Sequence, residues 1–213
     1  METIYSSKNL IIKAEFLGML RNNVYLLESN NEKVIIDPSC DVDKIIALAN
    51  GDDISKILLT HYHWDHTRAC SDLKKITNAS VYASKLDACY VENPEEAPLY
   101  RKNTPCNVDV KVNENDIIQI GNTSWKVIET PGHTMGCICF YCENCGNKPV
   151  LVCGDTLFKC SCGRVDFPDS SPSDMKKSLE KISHLPDDTI VLPGHEEITT
   201  IGFEKNFMLK PYC

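Results

Sequence analysis

Residues 57–70 read "ILLTHYHWDHTRAC", an apolar run that stops at Thr60 and is followed at once by three histidines and an aspartate in six positions. The preceding "ISKILLT" (54–60) has the β-branched, apolar character of a strand. On an extended chain alternate side chains share a face, so His61 and His63 point the same way and can share one ion. Asp65 and His66 follow as the chain turns into a helix expected over about residues 65–75, and from there they reach a second ion nearby. The bland alternative is a solvated polar loop. With only 6 histidines in 213 residues, three of them crowded at one strand end already argue against it.

The same arrangement recurs further along. "WKVIETPGHT" (125–134) is a strand, a Pro-Gly turn and His133; "VLVCGDT" (150–156) is a strand, a glycine and Asp155. "TIVLPGHE" (189–196) is again a strand, a Pro-Gly turn and His195. Four β-runs thus each deliver a ligand-type side chain at their end, and glycine beside three of them permits close backbone approach. Strand ends are where a rigid sheet presents chemistry on loops. One Pro-Gly-His would read as a plain turn; two of them with the first cluster read as a metal centre. His184 falls outside the pattern, near the end of an amphipathic helix, and reads as a surface or cap residue.

Around these motifs the chain alternates strands and helices. Strands are expected at 10–16, 23–29, 33–38 and 54–60, with a helix over 41–50 that has Asp41 as N-cap and Gly51 just beyond it. The stretch 84–105 reads as part helix, part loop. Strands return at 108–112, 116–120, 124–130, 136–142, 149–154 and 189–192, and "SPSDMKKSLEKISHL" (171–185) is an amphipathic helix with Met175, Leu179 and Ile182 along one face. The elements fall in two similar waves, roughly 1–105 and 106–213. No linker or low-complexity segment intervenes, so residues 1–213 are read as one domain.

Composition sets the boundaries. Hydrophobic residues make up 42% and charged residues 24%, the balance of a folded globular chain. A formal net charge of -8 argues against nucleic acid as a partner, because phosphate neutralisation needs a basic face. The start, "METIYSSKNLIIKAEF", has neither a basic beginning nor a long apolar core, so it does not read as a secretory signal. No apolar run nears the roughly 20 residues of a membrane span. The expectation is a cytoplasmic protein acting on a small molecule, with its 12 cysteines as reduced thiols.

"THYHWDH" with "TPGHT", "GDTLF" and "LPGHE" resembles the metallo-β-lactamase superfamily. The longer strings "TPGHTMGCICF" and "GDTLFKCSCGR" look like its glyoxalase II (hydroxyacylglutathione hydrolase) branch and the short relatives of that branch. The resemblance runs from about residue 10 to the end. It implies a four-layer αββα sandwich of two mixed β-sheets flanked by helices, in the α/β class. It also implies a binuclear site: His61, His63 and His133 on one ion, Asp65, His66 and His195 on the other, and Asp155 bridging. The implied cofactors are two divalent ions, zinc first, with iron or manganese as alternatives. The implied reaction is attack on a thioester carbonyl by a hydroxide shared between the ions, with Asp65 orienting the water. Lactone or other ester hydrolysis and persulfide oxidation at a single iron are the alternatives. A binding protein without catalysis has no need of a complete ligand set.

The departures from that branch matter. The chain reaches Cys213 soon after His195, so the helical C-terminal domain that helps glyoxalase II bind glutathione is not expected. In "CGRVDFP" (162–168), Arg164 matches a position that is often basic and substrate-binding, whereas Asp166 stands where an aromatic residue is common. Ser161 replaces a glycine and Cys137 a histidine. The thiol carrier is therefore left open. Asp37, after "KVII", is a candidate for orienting a ligand histidine. Trp64, inside the ligand loop, reads as a packing residue. "CICFYCENC" places Cys137, Cys139, Cys142 and Cys145 in one hairpin, where packed thiols are favoured over a further metal or disulfide.

Overall fold

In β3 (Asn22–Ser29), Tyr25 and Leu27 face one side while Val24 and Leu26 face the other, and all four are buried. A strand buried on both faces must sit between two apolar layers. The computed structural model describes residues 2–99 and 101–212 and supplies both layers.

The first sheet holds seven strands in chain order: β1 (Glu2–Ser6), β2 (Ile11–Leu17), β3, β4 (Glu32–Ile36), β5 (Ile54–Leu58), β6 (Ser80–Ser84) and β7 (Val110–Val112). Pairing is antiparallel as far as β4 and parallel from β4 to β7. The second sheet comprises β8 (Ile117–Ile120), β9 (Thr123–Glu129), β10 (Ile138–Cys142), β11 (Val150–Gly154), β12 (Ile190–Pro193) and β13 (Thr199–Thr200). Its pairs are antiparallel except β11 with β12.

Between the sheets lies one core, in which Tyr25, Leu27, Ile36 and Leu58 meet Trp125, Val127, Phe140 and Val152. The opposite face of the first sheet, with Val24, Leu26, Ile35 and Ile57, is covered by α1 (Val42–Ala49), α3 (Cys70–Thr77) and α4 (Ala88–Glu92). The outer face of the second, with Cys139, Leu151 and Val191, is covered by α5 (Pro172–Ser183) and α6 (Ile201–Glu204). The layers are α, β, β, α, as the resemblance implied.

Local chemistry sets the helix ends. Asp41 caps α1, its carboxylate accepting from Lys44 N, and Asn50 takes the left-handed conformation at the C-cap while Gly51 N donates to Ile46 O. Met175, Leu179 and Ile182 are the buried stripe of α5, whose N-cap is Ser171.

Two expectations are corrected, and three elements are added to those expected. The helix over 65–75 is two helices: α2 (Trp64–Thr67) ends, Ala69 N donates to Pro38 O instead of continuing the ladder, and α3 restarts at Cys70. The boundary between the waves lies between Val112 and Ile117, because β7 pairs with β6. Strands β1 and β13 and helix α6, for which no pattern was visible, complete the sheet edges and the outer layer.

Eleven cysteines are free thiols in the described residues; Cys213 lies outside them. In the hairpin, Cys142 and Cys145 join the core between the sheets while Cys139 faces α5. Among the described residues no helix is long and apolar enough to cross a membrane.

Candidate metal centre

The ends of β5, β9, β11 and β12 meet at one rim of the sandwich, and each brings its ligand-type side chains there. Nitrogen atoms of His61, His63 and His133 lie within 4.8 Å of one another, and so do ligand atoms of Asp65, His66 and His195. Asp155 stands between the two groups: Oδ1 is 3.3 Å from His66 Nε2, and Oδ2 is 3.4 Å from His133 Nε2 and 3.7 Å from His195 Nε2. Across the groups' interiors, His63 Nδ1 faces His133 Nε2 at 2.9 Å and His66 Nε2 faces His195 Nε2 at 3.3 Å. His184 is exposed at the end of α5.

The outward-facing nitrogens fix the tautomers. His133 Nδ1 donates to the carbonyl of Arg164 at 2.8 Å, and His195 Nδ1 to that of Leu20 at 3.1 Å. His66 Nδ1 donates to Asp37 Oδ2 at 2.9 Å. The Thr60 hydroxyl donates to the same Asp37 oxygen at 2.6 Å, so its own oxygen accepts from His61 Nδ1 at 3.1 Å. With those four Nδ1 atoms engaged outward, the four Nε2 atoms face the interior; His61 Nε2 is a free acceptor there, while His66 Nε2 holds a proton toward Asp155 that a bound cation would displace. His61 Nε2 and Asp155 Oδ1 are buried without a hydrogen-bond partner. Buried acceptors with nothing to accept from are costly, and a cation is the group that satisfies several at once. The residues present fit divalent metal ions.

Ionisation states agree with that fit. Burial, together with the neighbouring His66 and His63 rings, drives His61 well below the ordinary imidazole range; burial, with His133 beside it, takes His63 down to about 3. Both are neutral ligands at pH 7. Burial alone would raise the carboxyls of Asp155 and Asp65. The His66 charge overrides it, holding Asp155 at about 2 and Asp65 lower still, helped there by hydrogen bonds from His195 and Asn22. His66 moves the other way: burial disfavours its charge, but Asp155 and Asp65 hold its pKa well above normal. The carboxylates thus demand positive charge at this point, and a proton on His66 answers in an ion's place.

Several residues at the site gave no sign in the sequence. Asn22 Nδ2 donates to Asp65 Oδ2 at 2.9 Å and lies 3.3 Å from His66 Nε2. Asn23 and Tyr25 donate to the Pro193 carbonyl at 2.9 and 2.7 Å, fixing the loop that carries His195. Phe167 packs edge-on against the rings of His63 and His133, and Phe158 against His195. Asp166 stands where an aromatic residue is common, and the next residue, Phe167, supplies the ring. Arg164 is exposed, paired with Asp166 at 2.8–2.9 Å, and stacked 4.5 Å above the Phe167 ring. Gly194 has no alternative residue: a Cβ there would lie 2.4 Å from Asp155 Oδ1 and 2.6 Å from His66 Cε1.

Comparison with known proteins gives the same picture. The family model described as the metallo-beta-lactamase superfamily matches residues 17–195. An uncharacterized protein of Aquifex aeolicus is 35% identical over 93% of this chain and 95% of its own length. A hydroxyacylglutathione hydrolase of Pectobacterium atrosepticum is 35% identical over 82% of this chain, which spans 62% of that relative. Among solved structures, the BLEG-1 B3 metallo-β-lactamase superposes with a TM-score of 0.81 at 31% identity, covering 92% of this chain and 96% of that one. TTHA1623 in a di-iron-bound form gives a TM-score of 0.79 at 32% identity, covering 92% and 98%.

Proposed function

Because the chain belongs to the metallo-β-lactamase superfamily, we propose that it is a metal-dependent hydrolase whose substrate is a thioester. His61, His63 and His133 would hold one ion and Asp65, His66 and His195 a second, with Asp155 placed to serve both; zinc is the first choice, iron or manganese the alternatives. The di-iron form of TTHA1623 supports keeping iron in view. Ions bound there would supply a water acidified from about 15.7 towards 7 and a Lewis acid for the carbonyl.

The protein's own groups do the rest. Ionised Asp65, steadied by the Asn22 amide, presents a carboxylate that accepts a water proton and so aims the oxygen's lone pair. Phe158 and Phe167 wall the rim and keep bulk water off the ligand rings. Arg164, at the mouth, exchanges its Asp166 partner for a negative group on the substrate. The observation that carries the proposal is the convergence of the Nε2 atoms of His66, His133 and His195 on the two oxygens of Asp155. The test is turnover of S-lactoylglutathione and of a simple acyl thioester by protein loaded with each metal. Release of free thiol that ceases on chelation is expected. No release by protein carrying two metal equivalents would overturn the thioester reading.

The B3 metallo-β-lactamase neighbour favours a second reading, hydrolysis of a β-lactam amide at the same centre. A β-lactam arm in the same screen, opened faster than any thioester, would establish it instead.

A further inference from the structure

Beside the metal-ligand helix lies a cleft of about 420 Å³, lined by Trp64, Arg68, Arg101, Lys102, Asn103 and Thr104. Its charge is out of keeping with the rest of a chain of net charge -8. Most lysines and arginines here pair with carboxylates, as Lys13, Lys56, Lys74 and Lys205 do. Arg68, Arg101 and Lys102 make no ion pair among the described residues, yet three cations converge on one cleft. All three are exposed, so their mutual repulsion is screened, but together they set a positive potential at the cleft that favours an anion there.

The cleft is tied to the reaction centre by covalent and hydrogen-bonded links. Trp64 sits between two ligands, His63 and Asp65, and Arg68 lies four residues on, above Trp64 on the same helical face. The strand of chain forming the far wall is fastened to α2 and its approach: Asn103 Nδ2 donates to Thr67 Oγ1 at 2.7 Å, and Leu99 N to Tyr62 Oη at 3.3 Å. A ligand seated here is therefore registered against the helix that carries Asp65 and His66.

Resting on the thioester reading above, we propose that this cleft binds the phosphate-bearing, nucleotide-containing half of the thiol carrier, which makes coenzyme A thioesters the substrate class. Guanidinium groups match phosphate oxygens in paired hydrogen bonds, and three cations suit several phosphate charges. Glutathione, with two carboxylates and one ammonium, leaves most of that charge unanswered. Trp64, read from the sequence as a packing residue, is only half-buried and lines the cleft, where its indole can serve a nucleobase as well, and the Thr104 side chain adds a polar group beside it. The volume lies within the roughly 300–1,000 Å³ of small-molecule sites.

The test is calorimetric titration of metal-loaded protein with coenzyme A, pantetheine and glutathione, which reads binding without turnover. Coenzyme A is expected to bind at least tenfold more tightly than pantetheine, which lacks the phosphates and the nucleotide, and the gap should narrow as salt rises. Arg101→Glu with Lys102→Glu should abolish the gap, and Arg101→Lys should keep most of it. Equal binding of coenzyme A and pantetheine, or a gap that survives the double charge reversal, would overturn the proposal. Hydrolysis of S-lactoylglutathione alongside either result would leave the thioester reading standing, so the two claims fail separately.

Discussion

At the scale of single residues, the account depends on which atoms point inward. Asp155 lies within 3.7 Å of His133 in one histidine cluster and of His66 and His195 in the other, so Asp155→Ala is expected to lose at least one metal equivalent and most activity. Retention of both equivalents by elemental analysis would show that it bridges nothing. Asp37 is read as a support rather than a ligand: it accepts a hydrogen bond from His66 Nδ1 and, through Thr60, orders His61. Asp37→Ala should weaken metal affinity by roughly 10- to 100-fold with the fold intact; unchanged affinity in a competition titration with a chelator would contradict it. Asp87 behaves differently. It is buried, accepts from Tyr62 N and the Thr134 hydroxyl, and burial pushes its carboxyl up to about 7. A carboxyl raised in the folded state favours folding below its unfolded value, near 3.8, and loses that contribution as pH rises through 7. Asp87→Asn should therefore gain stability relative to the parent between pH 5 and 8, by an amount on the order of 1 kcal/mol. A difference in melting temperature that stays flat with pH would refute this.

At this scale the sequence was informative about the candidate ligands and about one support, Asp37, which accepts from His66 Nδ1 as its place after "KVII" suggested, and silent about the other supports. Each of the seven ligands follows a strand or a glycine, a pattern printed in consecutive letters. Asn22 and Phe167 reach the site from β3 and from the loop after β11, through contacts that exist only once the sheets have stacked. Arg164 was read for its guanidinium, yet the atom that orders a ligand is its carbonyl, which any residue possesses.

Elements position those residues through a few tight contacts. Gly194 lets the β12 loop pass against Asp155 and His66, so Gly194→Ala is expected to push a ligand aside. Metal binding should fall sharply while circular dichroism and the melting transition of chelated protein stay near the parent. An alanine variant with full metal content would remove the steric argument. Core packing is separable from this. Leu179, buried on α5 against the second sheet, should cost about 2–5 kcal/mol when cut to alanine without altering metal stoichiometry. Element types were legible because period two and period 3.6 are local signals. The break between α2 and α3 was not. The apolar spacing continues through it, and the interruption comes from Pro38, a residue distant in sequence, accepting the Ala69 amide. β7 was assigned to the wrong wave for the same kind of reason: three residues carry no record of which sheet they join.

The whole molecule gathers its candidate ligands where two stacked sheets share a rim, and ions bound there would be part of its stability. Ligands drawn together by folding bind metal far better than an unfolded chain, so bound metal shifts the folding equilibrium by mass action. The measurement that bears most directly on the central claim is elemental analysis of the reconstituted protein beside His133→Ala and His195→Ala. The account predicts two divalent ions per chain, with each variant losing an ion from a different group and the other group retaining its own. A parent that binds none, or variants that keep both, would contradict it.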